Sequence, residues 1–178
     1  MKTSATNSPW SDAILIGLGA NLPGSAGTPL QTLKAAVMAL DGDGMRVLAC
    51  SGLWASPAWP PSDQPPYINA VARLETALGP EELLVRLHAL EARFGRVRGA
   101  RWAARTLDLD LLAYGRLARI PAAASDLCLP HPRLAERAFV LLPLVEVAPG
   151  WCHPVLGLAV GDLIAALPPG HGTVALKI

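Results

Sequence analysis

Two aspartates, Asp108 and Asp110, stand two positions apart in the run Thr106-Leu-Asp-Leu-Asp-Leu-Leu-Ala-Tyr114. The run reads as a strand at about 106–114. Residues i and i+2 of a strand face one side, so both carboxylates enter one volume with their Cα atoms about 6.5–7 Å apart. The same face continues through Leu112 and Tyr114, passing from acidic to apolar. Paired carboxylates beside a buried face need counter-charges, either arginines or metal ions. Arginines are close at hand: Arg93, Arg96, Arg98, Arg101 and Arg105 fall within thirteen positions that hold no acidic residue. Guanidinium groups suit phosphate because they donate in a planar fork and stay charged at any working pH. Mg²⁺ held by the acids and bridging phosphate oxygens, with arginines neutralising the remaining charge, is the chemistry of nucleotide polyphosphate handling. Taken singly, the acid pair also fits a solvated strand face and the arginines a basic surface loop.

Other polar residues could shape such a site. Tyr67 and Asn69 follow a proline-rich stretch and offer an aromatic face and an amide with both donor and acceptor, suited to a planar heterocycle or to the edge of a sheet. His131 lies between Pro130 and Pro132, whose restricted backbones hold its ring in one place. Arg137 and Phe139 follow closely. Two phosphate motifs are near-misses: Gly19 to Gly24 has Walker spacing but Ser25 where lysine is required, and Gly17-Leu-Gly19 lacks the third glycine of a dinucleotide fingerprint. Both read as a turn after a strand. Asp41 and Asp43 begin like a calcium loop, but the twelfth position is Gly52, so they too read as a turn.

The elements that must position these residues belong to a chain of 178 residues, 52% hydrophobic and 16% charged, the size of one domain. That composition excludes a disordered chain, and no uninterrupted apolar run of 18 residues argues for a membrane span. A net charge of +1 gives no global attraction to nucleic acid or anionic membrane, so polyanion binding must come from the local arginine cluster. Cys50, Cys128 and Cys152 are odd in number and have no C-x-x-C spacing, which suits a reducing, cytoplasmic setting. Residues 1–12 read as a loose leader and 13–178 as one domain.

Ala13–Leu18 reads as a buried strand ended by Gly19. Thr28, Pro29 and Gln31 predict a helix start with a capping box, continued by Leu30, Leu33, Val37 and Leu40. Met45–Leu53 reads as a second strand, Ser56–Pro66 as a structured loop with five prolines, and Ile68–Glu75 as a third strand. Gly79-Pro-Glu-Glu82 opens a second helix through Leu83, Leu87, Leu90 and Phe94, stopped by Gly95. The acidic strand follows, then helices around 134–142 and 161–167. The order is α+β, a ferredoxin-like βαββαβ core of mainly antiparallel sheet with helices packed on it and extra C-terminal elements.

Between Ile14 and about Gly150 the chain resembles the 6-hydroxymethyl-7,8-dihydropterin pyrophosphokinase family. The resemblance rests on Leu18-Gly-Ala-Asn-Leu22, Asp63-Gln-Pro-Pro-Tyr-Ile-Asn69, Gly95-Arg-Val-Arg98, Arg101-Trp102 with Arg105-Thr-Leu-Asp-Leu-Asp110, Pro130-His131 and the segment from Arg137 to Leu144. It implies pyrophosphoryl transfer from ATP to the pterin hydroxymethyl group in folate biosynthesis; with nothing in the sequence that suggests an obligate interface, a monomeric cytoplasmic enzyme with no nucleic-acid or membrane partner is expected. By the same resemblance Asp108 and Asp110 ligate two Mg²⁺ ions, Arg96 and Arg105 act on the polyphosphate, and Arg98, Arg101 and Trp102 assist from a mobile loop. Tyr67 and Phe139 sandwich the pterin, Asn69 bonds its edge, and backbone groups of Ser56, Pro57 and Trp59 lie nearby. Glu91 and His131 fall on the nucleotide side, and Arg137 contacts phosphate or loop. The chain departs from the family pattern at Ala20, Pro132, Asp126 and Cys128. A different class, a non-catalytic RNA-binding ferredoxin-like domain, would also use a sheet with arginine loops, although it would need metal to offset Asp108 and Asp110.

Overall fold

The computed structural model describes residues 9–58, 61–96, 104–120 and 127–177. Alternation along the first strand decides which layer each side chain enters. In β1 (Ile14–Ala20), Ile14, Ile16, Leu18 and Ala20 enter one core, while Leu15 enters the other. Next come α1 (Pro29–Leu40), β2 (Met45–Cys50), β3 (Trp54–Ser56), β4 (Tyr67–Thr76), α2 (Pro80–Arg93), β5 (Asp108–Tyr114), α3 (Ala138–Val147), α4 (Val160–Ala165) and β6 (Val174–Ala175). The sheet runs β5-β1-β4-β3-β6, with β2 also paired to β4 ahead of β3, and every ladder among the described residues is antiparallel. α1 and α2 cover one face through Leu33, Ala36, Leu40, Leu83, Leu87 and Leu90. α3 and α4 cover the other through Val140, Leu141, Leu144, Val160 and Leu163, closing over Leu15, Val71 and Leu112. Each fully buried leucine stabilises this sandwich by about 2 kcal/mol. The ferredoxin-like α+β order expected from the sequence is present, with α3 and α4 as additions on the second face.

The helix starts behave as their residues dictate. Thr28 is extended, its Oγ1 accepts from the Gln31 N–H at 3.3 Å, and its own N–H donates to Gln31 Oε1 at 2.8 Å, completing the capping box ahead of Pro29. α2 carries Glu81 and Glu82 in its first turn and is stopped by Gly95 at φ +81°, a conformation that strains any residue with a Cβ.

Four expectations are corrected. The single strand read over 45–53 is broken: Ser51 turns its hydroxyl to accept from the Val71 N–H, and Gly52 donates to α3, so pairing resumes only at Trp54. Gly19, read as the end of the first strand, lies within β1, which runs on to Ala20. The helix read over 134–142 is a 3₁₀ turn at Leu134–Glu136, then extended Arg137, then α3, which runs through the buried Pro143 with one backbone bond missing. Finally, a bulge between Leu15 and Ile16 in the β1–β5 pairing leaves Leu112 unmatched and turns Tyr114 to the opposite face, where its hydroxyl donates to the Leu78 carbonyl. The strand β6 had no pattern to reveal it, being two exposed residues long. Trp10, within the segment read as a leader, packs against the second core with the Arg73 guanidinium 4.8 Å from its ring centroid.

Candidate active site

Gly17 and Gly19 make the floor of a cleft of about 550 Å³ on the α3 side of the sheet. Residues directly opposite each other in a ladder share a face, and Gly19 pairs with Asn69 of β4 on one side and Asp108 of β5 on the other. Gly17 pairs with Asp110. A Cβ on Gly19 would sit 3.5 Å from Asn69 Oδ1 and 3.8 Å from the Tyr67 ring. The missing side chains on β1 therefore open a trough between an aromatic-amide wall on β4 and an acidic wall on β5. With strands about 4.8 Å apart, the two walls are separated by about 10 Å at the backbone.

The acidic wall is electrostatically dense. Asp108 accepts from Arg96 at 2.6 Å and from Arg105 at 2.5 Å, one arginine on each carboxylate oxygen. Asp110 has Arg137 at 3.8 Å. Burial, followed by the charge of Asp108, pushes the Asp110 carboxyl well above the usual carboxylate range, against the pull of Arg137, Arg105 and Arg96. Asp108 and Asp110 share the face expected from their spacing. Among the described residues no third histidine, cysteine or acid joins them to form a metal cluster.

On the other wall Ser56, Pro57, Tyr67, Asn69 and Phe139 all line the cleft. Asn69 is buried, and its amide donates to Ser56 Oγ at 2.9 Å and to the Trp54 carbonyl at 3.3 Å. Both amide hydrogens are thus committed, and the acceptor Oδ1 is what Asn69 offers a ligand. Ser56 Oγ accepts in that bond, and the residue also brings its backbone groups to the cleft. Phe139 stands in the first turn of α3, with the Arg137 guanidinium 5.4 Å from its ring centroid. The extended Arg137 ahead of α3 places this pair at the rim.

His131 also lines the cleft. Its ring Nδ1 accepts from the Arg133 backbone N–H at 3.2 Å, and the His131 backbone N–H donates to the Leu112 carbonyl at 2.8 Å. With Nδ1 an acceptor, the neutral ring carries its proton on Nε2. Burial, then the charges of Arg137 and Arg133, pull its pKa down to about 4, so the ring is neutral near pH 7. Glu91 stands behind the cleft rather than on its wall. Its Oε1 accepts from the Leu109 N–H at 2.7 Å and pairs with Arg96. Glu91 falls four positions after Leu87 on the buried stripe of α2, a phase that marks a carboxylate facing inward.

Three further residues belong to the site. Arg133 lines the cleft beside His131. Gln64 lines it and accepts from the Asn21 amide at 3.2 Å, while the Asn21 carbonyl accepts from the Arg105 backbone N–H. Asn21 is buried and stands inside the Leu18-Gly-Ala-Asn-Leu22 motif, which carries no role for it in the sequence. Trp59, Arg98, Arg101, Trp102 and Asp126 lie outside the described residues.

Fold and cleft define a ferredoxin-like α+β protein whose sheet carries a carboxylate pair ringed by arginines across a glycine floor from an aromatic-amide wall. The sequence model of the 7,8-dihydro-6-hydroxymethylpterin-pyrophosphokinase (HPPK) family matches residues 15–149, and the chain belongs to that family. It is 42% identical over 151 residues to a 2-amino-4-hydroxy-6-hydroxymethyldihydropteridine pyrophosphokinase of Synechocystis sp., covering 84% of this chain and 73% of the relative. An enzyme of the same name from Pseudomonas aeruginosa is 40% identical over 157 residues, covering 87% of this chain and 91% of that one. A Plasmodium falciparum HPPK-DHPS structure shares the fold with a TM-score of 0.64 at 13% identity, over 86% of this chain and 42% of its own. This chain therefore spans less than half of that larger protein. Among the described residues no helix is long and apolar enough to cross a membrane.

Proposed function

We propose that this chain transfers the pyrophosphoryl group of ATP to the hydroxymethyl oxygen of 6-hydroxymethyl-7,8-dihydropterin, yielding the pterin diphosphate and AMP in folate biosynthesis. The observation that carries the reading is one shared face across three adjacent strands: Tyr67 and Asn69 on β4, the Gly17–Gly19 floor on β1, and Asp108 with Asp110 on β5. Tyr67 and Phe139 would stack on the heterocycle, and Asn69 Oδ1 would accept from an N–H on its edge. This points the hydroxymethyl arm across the glycine floor toward the acidic wall.

The pterin hydroxyl oxygen forms a bond to the β-phosphorus while the bond from that phosphorus to the α,β-bridging oxygen breaks. AMP departs with the electron pair, and the hydroxyl proton is released. Alignment and charge neutralisation suffice for such a transfer, without a covalent enzyme intermediate. Arg96 and Arg105 would meet the polyphosphate, and Arg137, Arg133 and the His131 Nε2–H would serve the nucleotide side. Arg98, Arg101 and Trp102 would act from the segment between them. Two carboxylates on one strand face are a donor set that suits Mg²⁺, which takes one or two carboxylates and completes its shell with substrate phosphates and water. Two ions bound by Asp108 and Asp110 would supply charge neutralisation at the transferring group. The three cysteines, free among the described residues, support a reducing cytoplasmic setting.

An RNA-binding sheet works with an open face. Here helices cover both faces and the cleft holds two carboxylates, which disfavours that reading. The deciding experiment is an assay of AMP release from ATP and Mg²⁺ with and without hydroxymethyl dihydropterin. Release that depends on the pterin is expected, and its absence would overturn the reading.

A further inference from the structure

α3 has a single charged residue, Glu146, and its carboxylate is spent on the far side of the pterin wall. Glu146 Oε2 accepts from the Gly52 N–H at 2.7 Å, and Oε1 accepts from Trp54 Nε1–H at 2.8 Å. Gly52 lies in the short segment that breaks the strand read over 45–53, and Trp54 is the first residue of β3. Phe139 stands seven residues before Glu146, about 10 Å or two turns along the helix, so both project from nearly the same side of α3. One end of that side meets the cleft, and the other clips β3. The clip then reaches the site in two bonds: the Trp54 carbonyl and Ser56 Oγ each accept from the Asn69 amide. β3 has only three residues, with β4 on one edge and the two-residue β6 on the other, so its ladders alone hold it weakly.

We propose that Glu146 is a positioning residue for the heterocycle slot. By holding Gly52 and Trp54 to α3 it sets the gap between Phe139 on α3 and the Ser56–Asn69 wall on β3 and β4. The proposal rests on the pterin reading above, and its effect falls on one substrate only. Two strands, β4 and β1, lie between the clip on β3 and the acidic wall on β5, which does not touch it.

The test is steady-state kinetics of wild type, Glu146→Ala and Trp54→Phe, with each substrate varied in turn. In Glu146→Ala the KM for the pterin is expected to rise about tenfold, with the KM for ATP within about twofold and kcat within about threefold, because two charge-assisted bonds are lost at one wall. Trp54→Phe keeps a ring and removes one donor, so a rise of about threefold is expected for the pterin alone. It also decides the matter should Glu146→Ala not fold. An unchanged pterin KM in both variants, or equal rises for pterin and ATP, overturns the proposal while leaving the wild-type activity standing. A wild-type chain that releases no AMP overturns the reaction itself, and the slot's role with it.

Discussion

Arg105 donates its backbone N–H to the side-chain carbonyl of Asn21 at 2.8 Å, across 84 positions of chain. The contact is reciprocal at the backbone, since the N–H groups of Asn21 and Leu22 both donate to the Arg105 carbonyl at 3.1 Å. The Asn21 amide reaches the other way, to Gln64 Oε1 and the Pro65 carbonyl at 3.2 Å each. One buried side chain thus joins the end of β1, the proline-rich loop and the approach to β5. The arginine facing the acidic wall owes its place to an asparagine that need not touch substrate.

Asn21→Ala is expected to destabilise the fold by about 2–3 kcal/mol, since the part-buried Arg105 backbone N–H, Gln64 Oε1 and the Pro65 carbonyl each lose a bond to it. Arg105 would be released as well, so activity should fall further than the unfolded fraction explains. Urea unfolding alongside kcat on the folded protein checks this. A stability loss with kcat unchanged would confine Asn21 to scaffolding.

For Arg105→Ala, turnover should drop by at least about 10³-fold, the scale of removing an arginine from a phosphoryl-transfer site. The guanidinium pairs with Asp108 in this structure, and the same group would meet the charge that develops on the polyphosphate. Single-turnover AMP formation separates this from binding. A rise in KM with kcat intact would make Arg105 a binding residue only.

Asp110→Asn should abolish AMP formation while leaving the protein as stable at pH 7 as wild type, or more so. Burial and the nearby Asp108 charge disfavour an ionised Asp110, so a neutral isostere relieves a cost in the folded state. Its thermal unfolding should also lose the rise that Mg²⁺ with a non-hydrolysable ATP analogue gives wild type. Wild-type AMP formation in this variant would remove Asp110 from the metal site.

The parts of the site legible in the sequence are those written in local pattern. Strand alternation put Asp108 and Asp110 on one face, and the capping residues Thr28 and Gln31 marked α1. What escaped depends on partners distant in the chain. Gly52 leaves its strand for Glu146, 94 positions on, and no local preference reports such a bond. Leu112 is skipped by a bulge that only pairing with β1 produces, so period-two reasoning carried Tyr114 to the wrong face. Gly19 reads locally as a strand stop because glycine favours turns, whereas it continues β1 and, with Gly17, opens the cleft by its missing side chain. Glu91 was legible in position but not in role: its phase on α2 points it inward, and only β5 shows that it bonds the Leu109 N–H.

Glu91 gives the last prediction, in pH. Burial raises its carboxyl from an ordinary 4.5 to about 7, outweighing the Leu109 N–H and the Arg96 charge that favour ionisation. The folded state therefore holds a proton that the unfolded chain releases. This contribution to stability is present in full below about pH 4.5 and is lost as the pH rises through about 7. At about 1.4 kcal/mol per pH unit, the loss amounts to at most roughly 3 kcal/mol. Glu91→Gln stays neutral throughout and should flatten that slope, keeping the Leu109 bond through its own carbonyl oxygen while giving up the charge that steadies Arg96. Urea unfolding of both proteins at intervals from pH 4.5 to 8 measures the difference directly. A wild-type stability that holds level or climbs relative to Glu91→Gln across this window would show that Glu91 folds as a carboxylate, with the arginine and the Leu109 N–H prevailing over burial.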